Sequence, residues 1–356
     1  MTFKALYRRM RSRWKRVVLG LLALACLMLN ALAYRHAWSM THFVESGERP
    51  PPPEKMSLGQ KASAIFTGIE IPKPRNRKTP ADYDLPFETH RFATSDGLAC
   101  EAWHVPCDAT DESGAARGLC VMFHGFSTSK ASLLPPAKVL HELGYDALLV
   151  DFRGSGGSDG RATTIGYREA DDVAAACAFA GQQWPELPQV LYGRSMGAAA
   201  VLRALAIGQL QPAAVILECP FDRLLATTKN RFRAAGLPSF PAAELLVFWG
   251  GLQHGYSGFD HNPVDYAAAV ACPALFLHGE HDIRVSPAEA REVFDRLAGE
   301  KTWKLVEGAG HENLSVARPE EWRPAVERFL YTLSGGNVGF RSAKASPFAE
   351  RKATLE

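Results

Sequence analysis

The stretch "VLYGRSMGAAAVL" occupies residues 190–202. An apolar run is broken at Gly193, Arg194, Ser195, Met196 and Gly197, so a buried strand meets a helix through one serine between two glycines. On so sharp a turn the Ser195 hydroxyl stands exposed above the sheet beside a helix N-terminus, and the glycines relieve the crowding. G-x-S-x-G also describes ordinary strand-to-helix turns, so the neighbouring segments must decide between a nucleophile and a plain turn.

Outward from this turn, short apolar, β-branched runs alternate with helical patterns, the signature of a mainly parallel sheet covered on both faces. Strands are predicted at 88–94, 98–106, 118–124, 146–151, 188–193, 213–218, 273–278 and 302–307. Helices are predicted near 130–143, 166–182, 196–208, 287–298 and 320–333. "TSDG", residues 94–97, is a hairpin signal that sets the first two strands antiparallel at the sheet edge. Residues 221–263 break the alternation and read as a small helical cap insertion, with Phe221, Phe232, Phe240, Phe248, Trp249 and Tyr256 serving either an apolar pocket or the cap's own packing.

Serine is a weak nucleophile near neutral pH and needs a base. His311, in "GAGHENL" directly after the last strand, is the best placed of eleven histidines. The imidazole in turn needs an acceptor that fixes its tautomer. Asp282 in "LFLHGEHDIRVSP" fits, with Glu218 and Asp222 in "ILECPFD" as rivals and Glu280 as a solvated neighbour. Backbone amides must face the oxyanion, and those of Phe126 in "VMFHGFSTS" and Met196 are the candidates. His124 reads as a structural histidine of that loop.

In the order serine, aspartate, histidine, these pieces resemble the α/β-hydrolase superfamily over residues 87–333, and "DFRGSGGSDG" at 151–160 resembles its loop after the fourth strand. Within it the chain is similar to serine aminopeptidase/monoacylglycerol-lipase-type members and to Bem46-like proteins. The resemblance implies an α/β-hydrolase fold around a mostly parallel eight-stranded sheet. It implies Ser195 as nucleophile, His311 as base and then acid, Asp282 as its orienter, and Phe126 and Met196 as oxyanion donors. Arg194, Arg153 and Asp159 are read as structural. "GSGGSDG" lacks the lysine and spacing of a phosphate-binding loop.

The expected activity is hydrolysis of a small-molecule acyl substrate, a carboxylic ester, through an acyl-enzyme. Amide, peptide or thioester cleavage by the same triad is an alternative, and a non-catalytic binding protein on the same fold is another. No cofactor and no metal are expected: the seven cysteines, at 26, 100, 107, 120, 177, 219 and 272, lack metal-ligand spacing. Cys100 and Cys107 are the pair that an oxidising compartment could join. With 40 basic and 38 acidic residues, net charge +2 gives no electrostatic reason for a nucleic-acid partner. Nothing speaks to oligomeric state.

The N-terminus is asymmetric. Residues 1–16 hold seven basic and no acidic residues, and "VVLGLLALACLMLNALA" follows at 17–33. The positive-inside rule leaves residues 1–16 in the cytoplasm and the rest across the membrane. Residues 17–38, lengthened by Tyr34, Ala37 and Trp38, read as a transmembrane anchor; alternatively Ala31-Leu32-Ala33 is a signal cleavage site that frees an exported enzyme. Residues 39–86 read as linker and wrap, with a stiff spacer at 45–55 carrying the domain away from the membrane and a short helix at 57–67. Residues 334–356 read as a flexible tail.

Overall fold

The computed structural model of the chain describes residues 3–51, 55–108, 116–208 and 210–333. Eight strands form one sheet: β1 (Glu88–Ala93), β2 (Ala99–Val105), β3 (Leu119–Phe123), β4 (Asp146–Val150), β5 (Gln189–Arg194), β6 (Ala214–Glu218), β7 (Ala274–Gly279) and β8 (Lys301–Val306). Their spatial order is β1-β2-β4-β3-β5-β6-β7-β8. β2 runs antiparallel to both β1 and β4, and every other pairing is parallel. Strands β3, β4, β6 and β7 are buried at every residue, because both faces are covered and no polar face is needed.

Eleven α-helices are described, and they are numbered in chain order. The N-terminal pair is α1 (Phe3–Thr41) and α2 (Leu58–Thr67). Those around the sheet are α3 (Leu134–Glu142), α4 (Glu169–Gln183) and α5 (Met196–Ile207). Between β6 and β7 lie α6 (Leu224–Ala234), α7 (Ala242–Gln253) and the single turn α8 (Pro263–Tyr266), in the segment expected as a cap. The C-terminal group is α9 (Pro287–Arg296), the single turn α10 (Leu314–Ala317) and α11 (Pro319–Leu333). One apolar cluster, with Phe123, Phe152 and Leu217, fills one face of the sheet. The other, with Met122, Tyr192 and Trp322, fills the opposite face.

α1 continues to Thr41, and its C-terminal half packs on α7, where Trp249 Nε1 donates to Asn30 Oδ1 (3.2 Å) and Gln253 Nε2 to the Tyr34 carbonyl (2.8 Å). One N-terminal expectation is corrected: the 45–55 spacer does not hold the domain at a distance, because residues just before it are already part of the fold. Phe43 N bonds Arg161 O (2.7 Å) and Val44 N bonds Ile71 O (2.9 Å). The tail at 334–356 lies outside the described residues. No disulfide joins any two of the seven cysteines, and Cys100 is not bonded to Cys107.

Candidate active site

The site begins at the turn between β5 and α5. Ser195 has φ 52° and ψ −112°, a strained conformation for a residue with a side chain, and its amide is tied to the Glu218 carbonyl at 2.7 Å. The flanking glycines are required by contact. A Cβ on Gly193 would come within 2.6 Å of Ala198 Cα, and one on Gly197 within 2.3 Å of the Phe123 carbonyl oxygen. Backbone therefore packs directly on backbone, which points the Ser195 side chain out over the carboxyl ends of the strands.

His311, in the loop after β8, sets Nε2 2.9 Å from Ser195 Oγ, and its Nδ1 lies 2.6 Å from Asp282 Oδ2. The second Asp282 oxygen accepts from the amides of Arg284 (2.8 Å) and Val285 (3.0 Å). Burial by itself would raise the Asp282 carboxyl, but His311, His278 and the Val285 amide together bring it below the ordinary aspartate value, so it is an anion at neutral pH. An ionised acceptor places the proton of His311 on Nδ1 and leaves Nε2 to accept from the serine, a tautomer assigned from the bonding pattern.

The rival acids are committed elsewhere. Glu218 is fully buried and accepts from Tyr192 Oη (2.7 Å), Trp322 Nε1 (3.0 Å) and the Leu314 amide (3.1 Å). It thereby pins the segment three residues beyond His311. Asp222 pairs with Arg223 at 2.6 Å, and Glu280 accepts from the Gly308 amide at 2.9 Å.

Opposite Ser195 runs the loop after β3. His124 is fully buried; Nδ1 donates to the Gly125 carbonyl (2.9 Å) and Nε2 accepts from the Phe152 amide (3.2 Å), while burial holds its pKa below the imidazole norm. Thr128 Oγ1 grips the same carbonyl at 2.7 Å. The amides of Phe126 and Met196 donate to no acceptor among the described residues, so both are available to an anion at the serine. Behind the loop, Lys130 is fully buried, with Nζ 2.5 Å from Asp151 and 2.7 Å from Glu101. Arg153 pairs with Asp172 (2.6 Å) and Asp96 (2.8 Å), and Asp159 with Arg91 (3.0 Å), which fixes the 151–160 loop beneath the site.

Two clusters of donor atoms had no counterpart in the sequence reading. Cys219, at φ 50°, brings Sγ within 4.8 Å of ligand atoms of Asp282 and His311. Burial and the neighbouring carboxyls push its thiol well up, which keeps it neutral. His311 and Asp282 already occupy each other at hydrogen-bond distance, which does not suit a metal between them. A second donor cluster, Glu88, His90 and His104, lies on the β1–β2 edge, where His104 is held by Asp146 at 2.9 Å.

The pocket, one of the two roles open to the inserted aromatics, is a cavity of about 410 Å³ ending at Ser195 and His311, inside the roughly 300–1,000 Å³ range of small-molecule sites. Its walls are overwhelmingly apolar; Phe221, Phe232 and Tyr256 of the inserted segment contribute, and so do residues of α1. Lys61 and Arg231 line it, and among the described residues no Asp or Glu does.

Comparison with known proteins agrees with this architecture. Residues 114–242 match the family described as serine aminopeptidase, S33. An uncharacterised protein of Mycobacterium tuberculosis is 31% identical over 253 residues, covering 70% of this chain and 80% of that protein. The lysophosphatidylserine lipase ABHD12 of Danio rerio is 24% identical, covering 68% of this chain and 67% of that protein. Among solved structures, a Pyrococcus furiosus esterase superposes with a TM-score of 0.60 at 24% identity, covering 73% of this chain and 97% of that one.

Proposed function

This chain belongs to the α/β-hydrolase superfamily, and from that premise we propose that it is a serine hydrolase cleaving the carboxylic ester of a single-chain acyl lipid through an acyl-enzyme. The observation that carries the reading is the hydrogen-bonded run from Ser195 through His311 to Asp282, placed at the end of an apolar pocket.

In this mechanism Ser195 Oγ attacks the acyl carbon while His311 Nε2 takes its proton, and Asp282 stabilises the imidazolium. The carbonyl oxygen becomes an oxyanion facing the amides of Phe126 and Met196. Collapse breaks the carbon–oxygen bond to the alcohol, which leaves with the proton from His311. Water, deprotonated by His311, then attacks the acyl carbon and releases the fatty acid and Ser195.

The pocket favours an ester with an apolar acyl group over an aminoacyl amide. A free ammonium group calls for a carboxylate, and the described lining holds two cations and no acid. The name of the zebrafish relative, a lysophosphatidylserine lipase, supports a lipid with one acyl chain. For placement, among the described residues one helix, Arg13–Thr41, is long and apolar enough to cross a membrane. We read it as a retained anchor with residues 42–333 on the non-cytoplasmic side, because cleavage after Ala33 would strip away Asn30 and its bond to Trp249.

The test is covalent. Full-length protein in detergent should react with a fluorophosphonate at Ser195, and Ser195→Ala should lose both labelling and ester turnover. Folded wild type that stays unlabelled overturns the assignment.

A further inference from the structure

The membrane helix is a wall of the pocket. Leu29, Leu32, Ala33, His36, Ala37 and Met40 of α1 line the same cavity as Ser195 and His311. Ala33 and Ala37 are buried against the cap, the latter beside Gly250, and Tyr34 meets Trp249 edge to face at 5.3 Å. The C-terminal end of α1 is the end nearer the serine: the Thr41 carbonyl accepts from Thr163 N (2.9 Å), and Thr163 Oγ1 lies 3.5 Å from Met196 Sδ. Phe43 reaches the ring of Phe126 at 6.4 Å. From Met40 back to Leu29 the lining follows twelve residues of helix, about 16.5 Å from first to last at 1.5 Å per residue.

The depth of this wall follows from the length of the helix. A hydrocarbon core of about 30 Å takes roughly 20 helical residues, which from Val17 ends near His36. Leu29, Leu32 and Ala33 therefore lie level with acyl chains, while Met40 lies at the interface. The surface beside them is apolar as well. Phe240, Phe248 and Leu252 of the inserted segment are 76%, 47% and 58% exposed, and Leu58 at the start of α2 is 85% exposed. Such side chains gain by sitting in the interfacial zone, where aromatic residues concentrate.

We propose that α1 forms part of the acyl site, and that the pocket takes the tail of a single-chain lipid directly from the leaflet in which α1 is anchored. The tail lies along Leu29–Met40 with its ester at Ser195. The proposal rests on the hydrolase reading above, and it makes a transmembrane segment the ruler of chain length.

The experiment uses full-length protein in detergent micelles and nitrophenyl esters of graded acyl length, reading kcat/KM against length for wild type, Leu32→Trp, Leu32→Ala and Met40→Trp. Leu24→Trp, on the lipid-facing part of α1, is the control. Each buried methylene is worth about 0.8 kcal/mol, so kcat/KM should rise up to about fourfold per methylene until the pocket is full. Both tryptophan variants should move the optimum to shorter chains, Met40→Trp further than Leu32→Trp, and Leu32→Ala should move it to longer ones. Leu24→Trp should keep the wild-type optimum. An optimum unchanged in all Leu32 and Met40 variants, with wild type active, overturns the role of α1 alone. Wild type that hydrolyses no ester and resists the fluorophosphonate overturns the hydrolase reading, and this proposal falls with it.

Discussion

Glu218→Ala should both destabilise the protein and slow its reaction, although Glu218 touches no substrate in this account. The side chain is fully buried and accepts from Tyr192 Oη, Trp322 Nε1 and the Leu314 amide. Alanine leaves three buried donors without an acceptor. At the lower end of roughly 1–3 kcal/mol for each such group, the loss is at least about 3 kcal/mol. For a domain of this size roughly 2–4 °C of Tm accompanies each kcal/mol, so thermal unfolding should move down by about 6–12 °C. The Leu314 bond also steadies the loop carrying His311, and a misplacement of about 1 Å at a reacting group costs on the order of a hundredfold in rate. Fluorophosphonate labelling well below the new Tm should therefore be slowed at least tenfold. Glu218→Gln, which keeps the shape and one acceptor oxygen, should fall between alanine and wild type on both scales. A Glu218→Ala protein that melts within a degree of wild type would show that Glu218 does not hold the three donors, and one that reacts at the wild-type rate would show that it does not steady the His311 loop.

Asp282→Asn should lower turnover by on the order of 10⁴, since a neutral amide no longer selects the Nδ1–H tautomer; steady-state ester hydrolysis measures it. The Asp282 carboxyl is depressed below its ordinary value of 3.8, so its pairing contributes fully above that pH and is lost as pH falls through the lower folded value. The stability difference between wild type and Asp282→Asn, followed by thermal unfolding, should therefore shrink as pH falls below about 4. Lys130→Met leaves the Asp151 carboxylate buried without its cation and should cost about 3–5 kcal/mol, read from denaturant unfolding. Protein extracted from membranes should have an intact mass that includes residues 1–33; a chain starting at Tyr34 would overturn the retained anchor.

Much of the fold was legible because strands buried on both faces read as short apolar runs between turn signals. All eight predicted strands lie within about two residues of the observed ones, and the antiparallel edge follows from the Gly97 turn. Ser195, Asp282 and His311 were legible too, since each follows a strand in a sheet whose carboxyl ends gather at one edge, and the structure brings the three together. The wall role of α1 was hidden. Leu29 and Leu32 serve a pocket with the same side chains that would serve lipid, and only the small Ala33 and Ala37 hint at a close neighbour. Lys130 was hidden for a related reason: lysine reads as a surface residue until Asp151 and Glu101 are seen beside it. Glu218 was noticed as a rival acid, and its actual partners, Tyr192, Leu314 and Trp322, lie up to 104 residues away in the chain.

The mechanism requires Ser195 to carry the acyl group. Rapid-quench mixing of the full-length enzyme with a long-chain nitrophenyl ester should yield protein heavier by one acyl group, mapped to the peptide that contains Ser195, together with a burst of nitrophenol. Turnover with no acyl adduct under denaturing quench, or an adduct on any other residue, would contradict it.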